Sequence, residues 1–497
     1  MRAGDAFVWD VGALGLDGLH RLAELIALYV QAGDLLLLEG DLGAGKSTLA
    51  RALIRAIAAN EAEEVPSPTF ALVQSYETPR LAIHHFDLYR LSGPAEVREI
   101  GFAEALDSGL ALVEWPDRAE GLLPADHLRI SLADAPDPDQ RLVKLAGHGS
   151  FAGRLAHVER VAGFIEAKGW GAARIAHVAG DASRRSYARL HRSEGGTCLL
   201  MDSPPLPPGP PVRDGKPYWA IAHSAPDVRP FITVEAALRG YGYSVPAILA
   251  RGEATGLLLI EDFGDRTFAA AMDAGTPMRD LYRAATDLLV DLSQHPAPPF
   301  LPPFDEGALL IEVSLLIDWY WPHVSGSAAP KQIADEFVAL WRRAITPLAA
   351  HPREWVLRDV HSPNLLWLPE REGLRKVGLI DFQDAMAGSS AYDLASLLQD
   401  ARLDVPEALE RELLGHYLTQ RAARDPSFDQ AAFRRLYALM GAQRNTKLLG
   451  IFVRLANRDG KTAYLRLLPR IQRYLARNLA DPALADLRGW YARHLPA

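Results

Sequence analysis

The sequence predicts two unlike folds in one chain, an α/β domain followed by a larger two-lobed α+β domain. In residues 1–148, short apolar strands alternate with amphipathic helices. From about residue 155 strands come first, and helices dominate after about residue 267. We place the domains at 1–148 and 155–497, because the glycines and small residues of 147–153 interrupt both periodicities.

The elements predicted for each domain follow in chain order. In the first domain we predict a helix at 16–31, a buried strand at 35–40, a helix at 48–59, a hairpin of 71–77 with 81–89, a buried strand at 110–115 and two strands around ADAPDPDQ. In the second we predict strands within 174–202, a polyproline-like loop at 204–211, a helix near 233–242, a strand at 257–262 and a later strand pair, NLLWL with VGLIDF.

The composition is that of an ordinary globular protein, with 49% hydrophobic and 23% charged residues among 497. The net charge of −9 argues against a protein that coats nucleic acid by bulk electrostatics. The single cysteine, Cys198, excludes an internal disulfide and is interpreted as a buried thiol. No targeting signal and no run of 18 apolar residues is present, so we expect a cytoplasmic protein without a membrane span.

The segment GDLGAGKS, residues 40–47, satisfies the phosphate-loop pattern between a predicted strand and a predicted helix. Its glycines allow backbone N–H groups to surround phosphates at a helix N-terminus. Lys46 would reach the β- and γ-phosphates of ATP, and Ser47 would bind Mg²⁺. The predicted nucleotide-binding residues here are Gly40, Gly43, Ala44, Gly45, Lys46, Ser47 and Thr48.

Three later residues narrow the chemistry of this first site. Glu114 ends the apolar strand LALVEW, where a carboxylate would meet the metal, Asp87 lies in HHFDLYR, and Thr69 lies on the polar loop VPSPTF. Taken singly, these residues are more simply interpreted as an exposed strand-end acid, a solvated acid and a helix-capping or turn threonine.

Taken together, GDLGAGKST, SPTFALV, HHFDLYRL and LVEWP resemble the TsaE family, the bacterial ATPase subunit of tRNA threonylcarbamoyladenosine synthesis. The resemblance covers roughly residues 5–148. It implies a P-loop NTPase fold, ATP hydrolysis, Thr69 as a switch residue, Glu114 as a metal-linked acid, Asp87 as catalytically important and Trp115 beside the nucleotide. It also implies partners similar to TsaB and TsaD, and through them tRNA.

A second candidate site lies in LRDVHSPNLL, residues 357–366. Phosphoryl transfer to an alcohol needs a base near the hydroxyl and oxygen ligands for Mg²⁺. Asp359 would orient or deprotonate the acceptor, while Asn364 and Asp381, at the end of an apolar strand, would bind the metal. The D-x-x-x-x-N pair alone could arise by chance, but chance does not explain a second aspartate, Asp381, at the end of an apolar strand.

Upstream segments agree with a kinase of this kind. GDASRRSYARL, residues 180–190, could cover the nucleotide, and LLLIEDFGD, residues 257–265, indicates the strand and hinge around adenine, with Glu261 as a nucleotide-binding candidate. Glu235 lies on a predicted helix where kinases keep an ion-pairing glutamate, although a solvated helix acid is the equal alternative.

These segments, together with IDFQDAMAGSSAYDLASLLQD and GAQRNTKLLGIFVRL, resemble the aminoglycoside phosphotransferase family over about residues 155–485. Within it, the likeness is to kinases that phosphorylate N-acetylmuramate and N-acetylglucosamine at the anomeric hydroxyl. The resemblance implies a protein-kinase-like fold, Asp359 as catalytic aspartate and a small amino-sugar substrate. Arg444 and Lys447 lie on one helical face. Contact with the sugar or the phosphate stays open for both, and surface ion pairs with Asp or Glu neighbours are the simpler interpretation.

Two departures from the family pattern leave alternatives open. Leu357 replaces the usual histidine of the catalytic loop, although His361 is present, and Met201 stands where most relatives place a phosphate-binding lysine. A bifunctional ATPase and sugar kinase is therefore the leading hypothesis. A non-catalytic nucleotide-binding module and a kinase for another small alcohol or an aminoglycoside are the alternatives for the second half.

Overall fold

The computed structural model describes residues 6–119, 121–178, 185–207 and 209–495. Its first elements are β1 (Phe7–Leu14), α1 (Leu16–Ala27), β2 (Leu35–Glu39), α2 (Lys46–Ala58), β3 (Val73–Glu77), β4 (Ala82–Asp87), α3 (Pro94–Glu99), α4 (Phe102–Ser108), β5 (Leu110–Glu114), β6 (His127–Asp134) and β7 (Arg141–His148). The predicted strands, the hairpin and both predicted helices of this region are confirmed, with α1 ending earlier than expected.

These strands form one seven-stranded sheet in the order β1-β7-β6-β2-β5-β4-β3. Strand β2 runs parallel to β5 and β6, and β4 runs parallel to β5. The four leucines of β2 are fully buried, which suits a central strand with both faces covered. Because parallel strands end at the same edge, the carboxyl ends of β2, β4 and β5 meet there.

Only Gly149 separates β7 from α5 (Ser150–Ala167). We expected residues 147–153 to interrupt helical periodicity. This was wrong from Ser150 onward, because α5 begins there. Phe151, Leu155 and Val158 recur at helical spacing and are buried. The small residues between them do not stop a helix whose apolar face is covered.

The next elements are β8 (Arg174–Val178), β9 (Ser186–His191), β10 (Thr197–Asp202), β11 (Pro211–Arg213), β12 (Lys216–Pro217), α6 (Tyr218–Ile221), α7 (Arg229–Gly240), β13 (Ile248–Gly252) and β14 (Leu257–Glu261). Five of the strands form an antiparallel sheet in the order β13-β14-β10-β9-β8. Cys198 lies in β10 and is fully buried, as predicted.

The remaining elements are α8 (Phe268–Asp273), α9 (Met278–Leu292), α10 (Glu306–Leu315), α11 (Trp321–Ser325), α12 (Lys331–Ile345), β15 (Glu354–Val356), β16 (Leu365–Trp367), β17 (Val377–Leu379), β18 (Met386–Gly388), α13 (Ala391–Leu398), α14 (Glu407–Arg424), α15 (Gln430–Asp459), α16 (Leu468–Leu479) and α17 (Ala485–His494). Strands β16 and β17 pair antiparallel, which confirms the predicted late strand pair. Within the described ranges, no helix is both long enough and apolar enough to cross a membrane.

The chain divides into two compact units. The first contains the seven-stranded sheet, α5 and the five-stranded sheet, and runs through Pro204 together with Ile248–Asp262. The second contains Pro205–Ala247 and the helical part from Phe263 onward. The five-stranded sheet therefore belongs to the same unit as the seven-stranded sheet. The domain bounds predicted from the sequence, 1–148 and 155–497, remain a prediction.

Candidate active sites

The phosphate loop joins the end of β2 to the start of α2. Gly40 has a φ of 142°, and a Cβ there would lie 2.3 Å from the Leu132 carbonyl oxygen, so no other residue fits without a shift. Gly45 precedes the helix with a φ of 101°, which is in the left-handed range that glycine tolerates. The backbone N–H groups at the start of α2 are therefore presented as a phosphate cradle.

Lys46, the first residue of α2, is 5% exposed. Its ammonium donates to the carbonyl oxygens of Gly40 at 2.6 Å and Asp41 at 2.9 Å, and lies 3.8 Å from the centre of the Trp115 ring. Burial lowers the pKa of Lys46, while the Glu114, Asp87 and Asp41 carboxylates act in the opposite direction. Lys46 and Trp115, both predicted at the nucleotide, are thus brought together.

Glu114 ends β5 directly beside the phosphate loop. Its carboxylate accepts from the Ser47 hydroxyl at 2.9 Å and shares a hydrogen bond with the imidazole of His85 at 3.0 Å. Sequence reasoning missed His85, which is buried on β4. Its spacing of two from Asp87 was the available signal, because residues i and i+2 share one face of a strand.

Asp87 is paired in register with Glu114 across the parallel strands β4 and β5. It accepts from the Thr69 hydroxyl at 2.7 Å and from the backbone N–H of Tyr89 at 3.0 Å. Asp87 and Glu114 are 4% and 2% exposed, so neither is the solvated or exposed acid that the sequence left open. The loop threonine, the strand-end acid and the phosphate loop form one contiguous site.

The donors at this site suit Mg²⁺. A serine hydroxyl and a carboxylate lie beside the phosphate cradle, and this hard ion prefers a few protein oxygens together with phosphate oxygens. Among the residues that the structure describes, no group of three or more His, Cys, Asp or Glu side chains could hold a metal ion by itself. Ser47 and Glu114 would hold Mg²⁺ only together with the nucleotide.

The second site is built from Asp359, Asn364 and Asp381. The Asn364 amide donates to the backbone carbonyl of Asp359 at 3.0 Å and to the Asp381 carboxylate at 3.4 Å. Gln383 donates to the other Asp381 oxygen at 2.9 Å. Asp381 follows β17 with a φ of 62°, an unusual conformation for a residue other than glycine. The loop and the strand end thus converge, and Asn364 and Asp381 offer oxygens suited to Mg²⁺.

Asp393, at the start of α13, holds the chain just before Asp359. Its carboxylate accepts from the backbone N–H groups of Leu357 at 2.6 Å and Arg358 at 2.8 Å. Arg358 has a φ of 76°, so the loop turns sharply just before Asp359. Burial raises the pKa of Asp393 to about 7. The Leu357 side chain is buried and makes none of these hydrogen bonds.

A buried charge cluster lies behind the loop. Glu312 on α10 is fully buried and accepts from Arg358, from Lys447 at 2.9 Å and from Gln443 at 3.0 Å. Lys447 also lies 3.2 Å from the Tyr392 hydroxyl. The interpretation that Arg444 and Lys447 form surface ion pairs with acidic neighbours was therefore wrong, because both side chains are buried on α15.

The electrostatic environment keeps Asp359 ionised. Burial by itself would raise the pKa of Asp359, but the charges of Lys447 and Arg358 act against burial, and this pKa is held below its ordinary value. Burial also lowers the pKa of His361 to about 4, so this imidazole is neutral near pH 7. Asp359 thus presents a carboxylate that can accept a hydrogen bond from an alcohol.

The other kinase candidates are placed as follows. Glu235 is buried on α7 with Arg239 at 3.9 Å, so it is not a solvated helix acid. Met201 is fully buried in β10, and Glu261 ends β14, which pairs with β10. In the segment 180–190 predicted to cover a nucleotide, residues 180–184 lie outside the described residues, and β9 begins at Ser186.

Comparison with known proteins finds a different family in each part of the chain. The family model of the threonylcarbamoyl adenosine biosynthesis protein TsaE matches residues 16–143, and that of the phosphotransferase enzyme family matches residues 174–436. The chain is 37% identical to an N-acetylmuramate/N-acetylglucosamine kinase of Caulobacter vibrioides, over 67% of this chain and 96% of the relative.

Two further relatives represent the two halves. An N-acetylmuramate/N-acetylglucosamine kinase of Pseudomonas aeruginosa is 33% identical over 65% of this chain and 89% of its own. The tRNA threonylcarbamoyladenosine biosynthesis protein TsaE of Rickettsia felis is 39% identical over 26% of this chain and 75% of its own.

The folds and sites define a fusion of a P-loop ATPase-type protein with an ATP-dependent phosphotransferase. The chain belongs to the TsaE family through its N-terminal part and to the phosphotransferase enzyme family through its C-terminal part.

Proposed function

We propose that the chain carries two activities. The N-terminal half hydrolyses ATP in support of threonylcarbamoylation of adenosine 37 of tRNA, docked to TsaB- and TsaD-like partners. The C-terminal half transfers phosphate from ATP to the anomeric hydroxyl of an amino sugar, with N-acetylmuramate and N-acetylglucosamine as acceptors. The names of the relatives support both assignments.

The observation that carries the kinase proposal is the supported geometry of Asp359, Asn364 and Asp381. The Asp359 carboxylate is ionised and would accept the hydrogen bond of the sugar hydroxyl. As the hydroxyl oxygen bonds to the γ-phosphorus and the bond to the ADP oxygen breaks, the proton passes to Asp359. Because the pKa of Asp359 is low, its main role is to orient the hydroxyl rather than to remove its proton beforehand.

Mg²⁺ would supply charge neutralisation for the phosphates at both sites. Ser47 and Glu114 would hold it in the ATPase half, and Asn364 and Asp381 in the kinase half. In the ATPase half, Lys46 binds phosphate oxygens, while the bonded pair of Thr69 and Asp87 is placed to respond to the γ-phosphate. Trp115 in the ATPase half, and Glu235 and Glu261 in the kinase half, remain proposed nucleotide contacts.

The kinase proposal is tested with the full chain, ATP, Mg²⁺ and a panel of amino sugars, aminoglycosides and small alcohols. N-acetylmuramate should yield a 1-phosphate, and Asp359→Asn should lower its rate by about 10²–10⁴-fold. The matched control is Asp273→Asn, the same change at the exposed end of α8, which should retain the rate. Nucleotide binding without phosphorylation of any acceptor would support the non-catalytic alternative. Phosphorylation confined to another alcohol or an aminoglycoside would support a kinase with a different acceptor.

A further inference from the structure

Helix α1 of the ATPase half has two buried faces that belong to different cores. Leu22 packs in the apolar core of the seven-stranded sheet. Leu25, less than one turn further along, packs instead with Leu190 and Leu200 of the five-stranded sheet. A single helix therefore contributes to the interior of both halves of the fusion.

Polar contacts fix α1 and the residues just after it against two strands of the five-stranded sheet. Glu24 is buried and accepts from the Arg174 guanidinium and, at 2.7 Å, from the backbone N–H of Ile175 in β8. Tyr29 donates at 2.8 Å to the buried carboxylate of Asp202, which ends β10. Buried carboxylates with such partners hold a fixed geometry, because losing a partner leaves a desolvated charge.

The covalent connection between the halves is equally rigid. Helix α5 starts one residue after β7, and its Phe151 and Leu155 enter the core of the seven-stranded sheet. Its Val161 and Ile165 enter the core of the five-stranded sheet. No flexible linker separates the two sheets, since one continuous helix packs into both.

We propose that the ATPase half is a structural part of the kinase: α1, with Tyr29 just beyond its end, holds β8 and β10 of the five-stranded sheet in place. The interaction surface consists of Glu24, Leu25 and Tyr29, and its partner is this chain's own sheet. The proposal rests on the proposed kinase function in one respect only, that this sheet contributes to nucleotide binding through Glu261 at the end of β14. The contact does not require turnover at the phosphate loop.

The test is amide hydrogen exchange of the full chain, followed in residues 174–178 and 186–202. Leu25→Ala and the milder Tyr29→Phe should speed exchange in these strands by about tenfold, as expected for the loss of a buried contact or hydrogen bond. Leu22→Ala is the matched control, because it makes the same substitution on the same helix toward the other core. It should act mainly on the seven-stranded sheet.

Unchanged exchange of β8–β10 in both Leu25→Ala and Tyr29→Phe would overturn the proposal. It would equally be overturned if Leu22→Ala accelerated these strands as much as Leu25→Ala does, since the effect would then not follow the contact face. Because exchange is measured without a sugar, the result stands whether or not the chain phosphorylates amino sugars.

A second inference concerns Arg444, whose neighbour on α15, Lys447, is already paired with Glu312. Arg444 is 3% exposed, and its Nη1 is enclosed without a hydrogen-bond acceptor among the described residues. Buried guanidinium groups are normally paired, because an uncompensated buried charge is strongly unfavourable. This unpartnered donor therefore indicates a site for a negatively charged group.

The location of Arg444 assigns that group to the acceptor. Arg444 precedes Lys447 by three residues on α15, and Glu312 joins Lys447 to Arg358, the residue directly before Asp359. The Arg444 charge also acts to lower the pKa of the Asp359 carboxyl. Asp359 is the residue that faces the acceptor hydroxyl in the proposed reaction. We infer that Arg444 binds a carboxylate of the acceptor sugar and so favours acidic over neutral amino sugars, an inference that rests on the proposed kinase function.

Arg444→Gln should raise the KM for N-acetylmuramate, which carries a carboxylate, by about tenfold or more, as expected when a charge-assisted bond is lost. The KM for neutral N-acetylglucosamine should change by less than about threefold. Arg458→Gln, an exposed position on the same helix, is the matched control and should change neither. Arg444→Lys should restore part of the preference.

An equal rise in KM for the two sugars, or an equal fall in kcat, would overturn the assignment. An equal fall in kcat would indicate that Arg444 acts on the transferred phosphate instead. Unchanged KM values would overturn it as well. If the unaltered chain phosphorylates neither sugar, the proposed function itself has failed. Binding of N-acetylmuramate by calorimetry then decides the role of Arg444: weaker binding in Arg444→Gln supports it and equal binding refutes it.

Discussion

The two candidate sites hold their acidic residues by different means. In the ATPase half, the acids lie at the ends of adjacent parallel strands and bond directly to other site residues: Glu114 to Ser47 and Asp87 to Thr69. In the kinase half, the loop of Asp359 is supported by backbone bonds to Asp393 and by buried charges on α10 and α15. The first site is thus held by bonds among its own candidate residues, whereas the second is held by residues outside the candidate site.

The difference explains why one altered residue need not disable the kinase. Where a site is held by side chains that also act in it, replacing one residue removes both the support and the chemistry. Where the support comes from Asp393 through backbone N–H groups, a loop side chain such as Leu357 can vary. The predictions below test this distinction.

The largest expected effects come from exchanging the strand-end acids, one in each half. Glu114→Gln should lower ATP hydrolysis, measured with the partner proteins present, by about 10²–10³-fold, because the metal-binding charge is lost. Asp381→Asn should lower sugar phosphorylation by a similar factor. Each variant should leave the other activity within about twofold. Loss of both activities in either variant would contradict separate chemistry.

The next effect concerns the buried charges that support the kinase half. Burial alone would raise the pKa of Glu354, but bonds from His351, Arg421 and Ser390 lower it to about 2. Because its pKa is lowered on folding, Glu354 stabilises the folded state at pH values above its unfolded pKa, which is near 4.5. This stabilisation is lost as the pH falls from 4.5 toward 2. The contribution is about 3 kcal/mol over that window.

Urea unfolding between pH 6 and pH 3 measures this contribution. Glu354→Gln should be less stable than the unaltered chain at pH 6, and the difference should shrink as the pH falls. A difference that stayed constant with pH would show that Glu354 contributes by packing and not by its charge.

A smaller effect is expected at the bonded pair of Thr69 and Asp87. Thr69→Val keeps the shape of the side chain but removes the hydroxyl, so ATP hydrolysis should fall by about tenfold through the loss of one hydrogen bond to a buried carboxylate. Thr69→Ser retains the hydroxyl and should stay within about threefold. Equal losses in the two variants would indicate that the methyl group, and not the hydroxyl, matters.

The smallest effect is expected at Leu357. Introducing the family's histidine, Leu357→His, should change the sugar kinase rate by less than about threefold, because Asp393 already holds the loop. The free energy of unfolding should fall by about 1–3 kcal/mol, since a polar ring would enter an apolar position. A tenfold gain in rate would show that the histidine brace is needed after all.

The sequence predicted the residues of the ATPase site more completely than it predicted the residues that support the kinase site. Ser47, Thr69, Asp87 and Glu114 lie within one stretch whose strand and loop patterns are clear, so their convergence followed from the parallel sheet. Glu312, Asp393 and Lys447 meet only through tertiary packing, and a buried acid on an apolar helix such as α10 has no periodic signal of its own. The same limitation explains why Lys447 was expected at the surface.

The most direct test of the central claim, that both halves are chemically competent and independent, is ³¹P NMR of one sample. The full chain is incubated with ATP, Mg²⁺, N-acetylmuramate and the tRNA-modification partners, in its unaltered form, as Lys46→Ala and as Asp359→Asn. The account predicts that inorganic phosphate disappears only in Lys46→Ala and that sugar 1-phosphate disappears only in Asp359→Asn. Absence of sugar phosphate from the unaltered chain, or loss of both products in one variant, would contradict it.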